Sequence, residues 1–167
     1  MILYQGAINL DRGLEEAIEA MTFLDDSVLL IIGTGDILPK LKSLVIREGL
    51  EDRVKFFGAI PYQELAYYTQ HADFGIAIEK DTNLNYKYSL SNKIFDYINA
   101  EIPILASPLV EVKKLYSDHD IGLLIESHKP NHLADKMKEM TSNDEQQKTW
   151  KENLFQMRNL FKWAQEE

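Results

Sequence analysis

The sequence predicts an α/β protein built on an open parallel sheet, and two observations lead to that prediction. Six short apolar runs alternate along the chain with segments whose apolar residues recur at the spacing of an amphipathic helix. The apolar runs are nearly continuous, as is typical of strands that are buried on both faces of a parallel sheet. Because strands and helices follow one another in successive units, the sheet is predicted to be doubly wound, with helices on both of its faces.

Each predicted strand is a run of a few apolar residues that is followed closely by a glycine or a polar residue. The six runs lie at residues 2–4, 28–32, 54–57, 74–78, 104–106 and 121–125. A chain of 167 residues with this pattern suits one domain with a Rossmann-like sheet of about six strands. We therefore predict a single domain over residues 1–167.

Helical periodicity fills the segments between the predicted strands. The first helix is expected after an N-cap at Asp11, and the second is expected to open at Asp36 and to close at Gly49. Later stripes of apolar residues are centred near Leu65, Ile94, Val112 and Leu133. A longer stripe predicts a last helix over about residues 144–165. Residues 79–91 show no clear pattern and are predicted to form a long loop, which in compact domains is often functional.

Composition and charge exclude several classes of function. The chain has no cysteine, so it can form neither a disulfide nor a thiolate metal site, and a reducing, cytoplasmic setting is expected. Its net charge is −9, whereas nucleic-acid-binding proteins usually carry a basic excess or patch. No apolar run approaches the ~20 residues of a membrane span. A strand-like run follows Met1 almost at once, so we expect a fragment whose upstream part has been removed.

Ligands of open α/β sheets bind outside the carboxyl ends of the strands, so the loops at that edge carry the candidate site. Three of these loops begin with glycine, where a ligand can approach the backbone closely. In the first loop, Gly6 allows a tight turn, and Arg12 is a cation that could hold a phosphate through two hydrogen bonds. The alternative is that Arg12 is a surface residue paired with Glu15 or Glu16.

The segment 91–107, which reads SNKIFDYINAEIPILAS, is the strongest candidate for a ligand site. It is predicted to form a loop, a short helix and a buried strand, with Ser91 or Asn92 as the N-cap. Lys93 in the first turn opposes the helix dipole, which is unfavourable unless something negative lies nearby. The start of this helix is therefore predicted to bind a phosphate, and Asp96, on the same helix face, could accept a ribose hydroxyl.

Several other motifs are predicted to be structural. Gly33 and Gly35 form a G-x-G, but the third glycine of a dinucleotide fingerprint is missing, so a tight strand-to-helix turn is favoured. The acidic run 118–120 precedes a strand and is predicted to be a turn at the edge opposite the site. A proline separates His128 from His132, so the two do not share a helix face. No metal site is predicted.

The segment 91–107 resembles the pattern P-N-K-x-F-E-Y-x-x-A-G-x-P-V-x-A-S of GT-B glycosyltransferases of the group 1 type. Residues 53–68 resemble a second pattern of that family, V-x-F-x-G-x-V-x-x-x-x-L-x-x-x-Y, and the resemblance extends from residue 2 to about residue 140. It implies the C-terminal, donor-binding domain of such an enzyme. That domain binds a nucleotide diphosphate sugar, and the family transfers the sugar to an acceptor without an essential metal or other cofactor.

The resemblance also implies a missing partner domain. GT-B enzymes have an N-terminal domain that binds the acceptor and usually supplies the catalytic base, so the catalytic residues stay unassigned here. We expect the isolated chain to bind donor with little or no turnover. If the protein associates with the inner face of the membrane, the missing N-terminal domain is expected to make that contact. Bacterial polysaccharide biosynthesis is the setting that the resemblance implies, while the nucleotide, sugar, acceptor, stereochemical outcome and oligomeric state stay open.

The resemblance assigns site residues position by position. The positions that match the donor-phosphate site are Gly6, Arg12, Asn92 and Lys93. Asp96 matches the acidic residue that holds the ribose, although the family usually has the longer glutamate there. The candidate contacts to the base or the sugar are Phe57, Gly58, Glu79, Tyr88 and Ser91.

Two further departures from the family pattern bear on the donor. Ala7 stands where many members have a second basic residue directly after the first-loop glycine. Tyr88 stands where retaining members often carry a glutamate that touches the donor sugar. The sugar contact therefore stays open, and Glu79, at the end of a predicted strand, could serve instead.

Two alternative functions of the same fold also stay open. Sugar-nucleotide epimerases share the GT-B architecture, but they typically need more acids and histidines at the cleft than this sequence provides. A non-catalytic, doubly wound nucleotide-binding or signalling module would want an acidic cluster at the end of the first strand. The sequence there is Gln5, Gly6 and Ala7, which disfavours that alternative.

Overall fold

The computed structural model describes the backbone of residues 1–163 and the side chains of residues 1–160, and its strands form one six-stranded parallel sheet. The strands are β1 (Ile2–Gln5), β2 (Leu29–Ile32), β3 (Val54–Phe57), β4 (Phe74–Ala77), β5 (Ile104–Ala106) and β6 (Gly122–Leu124). Each predicted strand is confirmed to within one residue at either end.

The strand order β3-β2-β1-β4-β5-β6 makes the fold doubly wound. The chain builds β1 to β3 outward in one direction, then returns to place β4 on the free edge of β1. Ile2 pairs with Leu29 of β2 on one side and with Phe74 of β4 on the other. The reversal between β1 and β4 opens a crevice at the carboxyl ends of these two strands, which is where such sheets bind ligands.

Eight α-helices connect and cover the strands within residues 1–163. They are α1 (Leu14–Ala20), α2 (Leu38–Arg47), α3 (Tyr62–Gln70), α4 (Leu84–Tyr88), α5 (Asn92–Asn99), α6 (Val110–Asp118), α7 (Pro130–Ser142) and α8 (Asp144–Trp163). A single 3₁₀ turn, Met21–Phe23, continues α1. The predicted end of the last helix near residue 165 lies outside the described residues. None of the helices described up to residue 163 is both long enough and apolar enough to cross a membrane.

Alternate residues of the strands enter two separate apolar cores. Tyr4 and Phe74 belong to one core, which α1, α2 and α7 complete. Leu3 and Ile104 belong to the other, together with apolar side chains of α3, α5, α6 and α8. The near-continuous apolar strands are thus buried on both faces, and the prediction of helices on both sides of the sheet is confirmed.

Helix α5 is seated on the sheet by a contact between Tyr97 and Gly75. The Tyr97 ring packs where a side chain of Gly75 would stand, since a Cβ there would lie 2.5 Å from the ring. The buried Tyr97 hydroxyl lies 3.2 Å from the carbonyl oxygens of both Leu3 and Ile76, on the two central strands. This contact fixes the position of α5, and with it the start of the helix, relative to β1 and β4.

The predicted N-caps of the first two helices are wrong. Asp11 has a left-handed backbone, with φ of 63°, and so does Gly13, which is the residue that caps α1. Helix α1 therefore begins three residues later than Asp11, at Leu14. Asp36 lies in the turn before α2, whose N-cap is Ile37.

Gly33 and Gly35 allow the second loop to lie against the first, as the prediction of a structural turn requires. A Cβ on Gly33 would collide with the Gly6 carbonyl, and one on Gly35 with the Ile8 carbonyl. The two loops are joined by backbone hydrogen bonds, including one of 2.9 Å from the Ile8 N–H to the Thr34 carbonyl. These glycines therefore shape the loop that carries Gly6.

Residues 79–91 are not a structureless loop, because they contain the short helix α4. The Asn83 side chain caps this helix by accepting a hydrogen bond of 2.9 Å from the Tyr86 N–H. The segment is tied to the first loop as well: the Lys80 N–H donates to the Asp11 carbonyl at 2.9 Å, and the Thr82 hydroxyl donates to the Asp11 carboxylate at 2.9 Å.

Candidate functional site

A cavity of about 470 Å³ opens at the carboxyl edge of the sheet, beside β1. Four parts of the chain line it: the end of β1 with the loop that follows, α3, the α4 segment and the start of α5. The predicted site residues on its wall are Gly6, Arg12, Ser91, Asn92, Lys93 and Asp96. The structure thus brings together the predicted phosphate and ribose positions at one crevice.

Two cations beside this cavity share one carboxylate. The Lys93 ammonium forms an ion pair with Glu79, and Nη1 of Arg12 lies 3.3 Å from Oε1 of the same carboxylate. The side chains of Lys93 and Glu79 are almost fully buried, at 6% and 3% exposed. With one negative and two positive groups, the cluster retains a single positive charge at the wall of the cavity.

Burial and pairing act in opposite directions on the ionisation of this cluster. Burial by itself raises the pKa of Glu79, but the Lys93 ammonium and the Arg12 guanidinium outweigh it, so the pKa lies below its ordinary value. Burial lowers the pKa of Lys93, and the Glu79 carboxylate offsets only part of that effect. The Glu79 carboxylate therefore favours the charged form of the buried lysine against the effect of burial.

Each of the two cations lies over the face of an aromatic ring. The Arg12 guanidinium lies 4.7 Å from the centroid of the Tyr86 ring, and the Lys93 ammonium lies 4.9 Å from that of Tyr4. Both distances are within the range of a cation–π contact. Nε of Arg12 is buried and has no hydrogen-bond partner among the residues that the structure describes. Arg12 therefore keeps an unused N–H donor beside the cavity.

The start of α5 is also available to an anion. Ser91, one of the two predicted candidates, is the N-cap, yet its side chain makes no cap hydrogen bond. Its hydroxyl oxygen instead accepts a hydrogen bond of 3.2 Å from the Lys93 ammonium. The Ile94 N–H donates to the Ser91 carbonyl at 2.9 Å, whereas the N–H groups of Asn92 and Lys93 have no acceptor among the described residues. Both residues line the cavity, so the positive end of the helix dipole lies at its wall.

Asp96 lies one turn further along α5, at the border between two cavities. One of its oxygens, Oδ2, accepts a hydrogen bond of 2.9 Å from Nε2 of Gln5, and the other lies 3.5 Å from the Tyr62 hydroxyl. Asp96 and Gln5 line both the main cavity and a smaller one of about 140 Å³ between α3 and α5. Its place in the crevice suits a group that accepts hydrogen bonds from a ligand.

The alternative pairing of Arg12 with Glu15 or Glu16 is wrong. Glu15 pairs with Lys40 at 3.2 Å, Glu16 pairs with Lys80 at 2.5 Å, and Arg12 turns to Glu79. The left-handed turn at Asp11 and Gly13 places Arg12 before the helix rather than on its exposed face. Arg12 consequently lies at the cavity and not at the surface of α1.

Four candidate contacts to base or sugar lie away from the lining of the main cavity. Phe57 is 40% exposed and packs on the Tyr68 ring, with centroids 5.5 Å apart, and the neighbouring Gly58 is exposed. Tyr88 is 56% exposed at the end of α4. Glu79 does not line the main cavity itself, but it pairs with Arg12 and Lys93, which do. It borders a separate cavity of about 820 Å³. Their roles toward a ligand stay predictions.

Sequence reasoning missed two residues of this site. Gln5 is a polar residue directly after the predicted strand 2–4, and this is the one signal that could have indicated its role. Tyr86 lies in the segment 79–91, which was predicted to be a loop, whereas its ring packs on Arg12 from the short helix α4.

The acidic residues at 118–120 and the histidine pair, which were predicted to be structural, have partners within the protein. Asp120 accepts hydrogen bonds from Gln146 and from Nε1 of Trp150, at 2.9 and 2.7 Å, on the amino side of β6. Nε2 of His132 accepts a hydrogen bond of 3.1 Å from the Glu126 N–H. Within residues 1–163, no three His, Cys, Asp or Glu side chains cluster in a way that could hold a metal ion.

The fold and site define a doubly wound α/β domain with a crevice lined by two cations at its switch point, and comparison with known proteins gives the family. The profile of the family described as "Glycosyl transferases group 1" matches residues 1–157. The chain belongs to this family, and its fold is that of the C-terminal half of GT-B glycosyltransferases.

Individual relatives are distant in sequence. An uncharacterized glycosyltransferase of Methanocaldococcus jannaschii, MJ1178, is 24% identical over 96% of this chain and 44% of its own length. The HepE protein of Anabaena, crystallised with UDP, is 16% identical with a TM-score of 0.80, over 95% of this chain and 44% of that one.

A third comparison covers an isolated domain. The C-terminal domain of the group 1 protein LpcC from Francisella tularensis is 17% identical with a TM-score of 0.76, over 95% of this chain and 83% of that one. At 16–17% identity, these two structures show the shared fold. The chain spans less than half the length of the M. jannaschii relative.

Proposed function

We propose that this chain is the donor-binding half of a glycosyltransferase and that it binds a nucleoside diphosphate sugar. The diphosphate lies against Arg12, Lys93 and the start of α5, and the ribose hydroxyls reach Asp96. The observation that carries this proposal is the convergence of both cations and an uncapped helix start on one cavity. Each of these groups is suited to a phosphate on its own.

The size of the cavity and the structural relatives support the same ligand class. About 470 Å³ is within the range of cavities that bind small molecules and cofactors. HepE was crystallised with UDP and also with UDP-glucose. A nucleoside diphosphate with its sugar is therefore the first ligand to test.

The chemistry required of this half is the stabilisation of a leaving group. When the sugar departs, negative charge develops on the diphosphate oxygens, and pre-positioned cations lower the energy of that state. Arg12 and Lys93 are held in place before the donor arrives, because Glu79 and two aromatic rings fix them. The positive charge left on the cluster is thus already oriented toward the diphosphate, and we expect no metal requirement.

The remaining parts of the reaction are assigned to a second domain. Since the chain spans 44% of the M. jannaschii relative, we propose that a further domain completes the crevice, binds the acceptor and supplies the base. The isolated chain should then bind donor without appreciable transfer.

The proposal is tested first by a thermal-shift panel of UDP, GDP, ADP, CMP and their sugars at ~1 mM. A ligand with a Kd of about 100 μM would stabilise the chain by about 1.4 kcal/mol, which is about 2–4 °C at this size. A shift with one nucleoside diphosphate, unchanged by EDTA, supports the proposal and identifies the base. The absence of a shift with every nucleotide would contradict donor binding by this chain.

Arg12→Ala then separates the phosphate site from the rest of the nucleotide. Loss of a charge-assisted hydrogen bond to phosphate should weaken UDP binding by about 10- to 100-fold, while uridine binding changes little. Arg47→Ala is the control, because Arg47 is an exposed arginine on α2 that pairs with Glu48. Equal losses for UDP and uridine would remove Arg12 from the phosphate site.

Asp96→Asn addresses the ribose in the same way. The substitution should weaken UDP but hardly change the binding of its 2′,3′-dideoxy analogue, since that analogue has no hydroxyl to donate. If both ligands weaken alike, Asp96 does not hold the ribose.

A further inference from the structure

Gln5 connects the end of β1 to the carboxylate of Asp96 through a buried hydrogen-bond chain. The Gln5 residue is 2% exposed, and Nε2 of its amide donates to Oδ2 of Asp96 at 2.9 Å. Its amide oxygen accepts a hydrogen bond of 2.7 Å from the hydroxyl of Thr69, which is equally buried. We propose that Gln5 is a positioning residue that orients Asp96 toward the ribose, and that Thr69 sets the orientation of Gln5. This inference rests on the proposed donor-binding function.

The chain has a definite direction, which follows from what each group can donate or accept. An ionised carboxylate only accepts hydrogen bonds, so the amide nitrogen of Gln5, and not its oxygen, must face Asp96. The amide oxygen then faces the Thr69 hydroxyl at 2.7 Å, and the single proton of that hydroxyl is shared with the Leu65 carbonyl, which lies 2.8 Å away. Each hydrogen bond in such a chain polarises the next, and here the chain ends on the carboxylate.

Fixing one oxygen of Asp96 leaves the other for a ligand. Among the hydrogen bonds of the described residues, Oδ1 has a single, long contact, from the Tyr62 hydroxyl at 3.5 Å. Tyr62 is itself 66% exposed, so this contact can yield to a ligand. With Oδ2 tied to Gln5, the plane of the carboxylate is set relative to the crevice, and Oδ1 is presented to hydroxyl donors.

Gln5 borders the cavity but is only 2% exposed, so it acts on ligand binding through Asp96. Both ends of its amide have protein partners, and the amide joins three elements: β1, α3 and α5. Asp96 is one methylene shorter than the glutamate usual in the family, so its carboxylate lies closer to the helix. A buried amide from β1 is positioned to hold a carboxylate at that distance, which gives the shorter acid a fixed orientation.

The test compares a ribonucleotide with its 2′,3′-dideoxy counterpart on the same protein. Affinities for UDP, GDP and ADP, each against the dideoxy form, are measured by calorimetry for the wild-type chain and for Gln5→Met. Hydrogen bonds that involve a charged group favour the ribonucleotide by about tenfold or more in the wild type. In Gln5→Met the preference should fall to about threefold or less, with the dideoxy affinity unchanged.

Three further variants make the result specific. Thr69→Val removes the hydroxyl without changing the shape of the side chain, and it should reduce the preference in the same direction by a smaller factor. Gln63→Met makes the same chemical change as Gln5→Met at an exposed position of α3, and it should leave the preference intact. In an Asp96→Asn background, Gln5→Met should lower the preference no further.

Each remaining outcome counts against a separate claim. If the wild type binds no nucleoside diphosphate, the proposed function fails, and this role of Gln5 fails with it. If Asp96→Asn abolishes the preference while Gln5→Met and Thr69→Val keep it, only the positioning role is wrong. Equal weakening of both nucleotides in Gln5→Met would show that Gln5 is merely structural. Should Gln5→Met not fold, the Thr69→Val comparison decides.

Discussion

Glu79 supplies, from the end of β4, the negative charge that Lys93 requires in the first turn of α5. A lysine at that position opposes the helix dipole, and a buried lysine also loses its hydration. The Glu79 carboxylate offsets part of both effects, and because it also contacts Arg12, it holds two cations from different parts of the chain at one point. The protein itself thus provides, in Glu79, a negative partner for both cations of the site.

The first prediction concerns the energy of this ion pair. Glu79→Gln leaves the Lys93 ammonium buried without a counter-ion, and it should lower the free energy of unfolding by about 3–5 kcal/mol. Lys93→Met should cost less, since Glu79 keeps Arg12 as a partner. The double variant should recover part of the loss in Glu79→Gln, because no unpaired ammonium then remains. Urea unfolding followed by circular dichroism measures all three.

The matched control for this cycle is Glu64→Gln. Glu64 is an exposed glutamate on α3, and the same loss of charge there should change stability by no more than about 0.5 kcal/mol. Similar losses in Glu64→Gln and Glu79→Gln would mean that the buried pair contributes nothing specific.

The second prediction is the pH dependence of the same group. The pKa of Glu79 in the folded chain lies below the ordinary glutamate value of 4.5, so the unfolded chain takes up the proton first as the pH falls. The stability that Glu79 contributes is therefore complete above pH 4.5 and is lost as the pH falls through the folded pKa. The stability difference between wild type and Glu79→Gln should be largest near pH 7 and should shrink below pH 4.5.

Unfolding free energies measured from pH 3 to pH 7 on both proteins give that difference directly. Subtracting one from the other cancels the titration of the carboxyl groups that the two proteins share. A difference that stays constant across this range would show that Glu79 has an unperturbed pKa.

The third prediction concerns the carboxyl end of α5. Glu101 has a left-handed backbone with φ of 57°, at the position where helices prefer glycine, and the family pattern has glycine there. The Ile102 N–H donates to the Tyr97 carbonyl at 3.1 Å and closes this helix end. Glu101→Gly should relieve about 1 kcal/mol of backbone strain.

The control for Glu101→Gly must account for an ion pair, because the Glu101 side chain pairs with Arg158 of α8. Glu101→Gln loses that pair but keeps the strained backbone. Glu101→Gly should therefore be more stable than Glu101→Gln by about 1 kcal/mol in urea unfolding. Equal stability of the two would mean that Glu101 carries no strain.

The fourth prediction tests the packing of α5 on the sheet through the contact between Tyr97 and Gly75. Gly75→Ala would place a methyl group 2.5 Å from the Tyr97 ring, and the overpacking should cost about 1–3 kcal/mol. Gly58→Ala is the matched control, since no atom lies within 4 Å of a Cβ built there. Thermal unfolding of the two variants should differ clearly, and a tolerated Gly75→Ala would show that α5 can shift freely.

Much of the architecture could be predicted because it depends on local pattern. The apolar runs located the strands, and helical spacing put Lys93 and Asp96 on one face of α5. The start of α1 was harder to predict, because Asp11 and Gly13 both adopt left-handed backbone conformations that the sequence alone does not reveal. The short helix α4 was missed because its five residues carry no apolar period.

The partners within the site depend on tertiary contacts, and sequence spacing says nothing about them. Lys93 was expected to need a negative neighbour, and a phosphate was inferred, whereas the protein itself provides Glu79. Gln5 and Asp96 are separated by 91 positions, so their hydrogen bond appears only when the strand order is known. A pattern can identify a charged residue that lacks a partner, but only the fold identifies the partner.

The placement of β4 beside β1 has a consequence for the order in which this chain becomes competent to bind. The first three strands can pair with one another, yet Glu79, Lys93 and Asp96 all arrive later, with β4 and α5. Two contacts of the crevice, Arg12 with Glu79 and Gln5 with Asp96, join residues 67 and 91 positions apart, so they cannot form before β4 and α5 are in place beside β1. If the crevice binds the proposed nucleotide, binding should therefore appear only after β4 and α5 have packed beside β1, and not when the first three strands alone have paired.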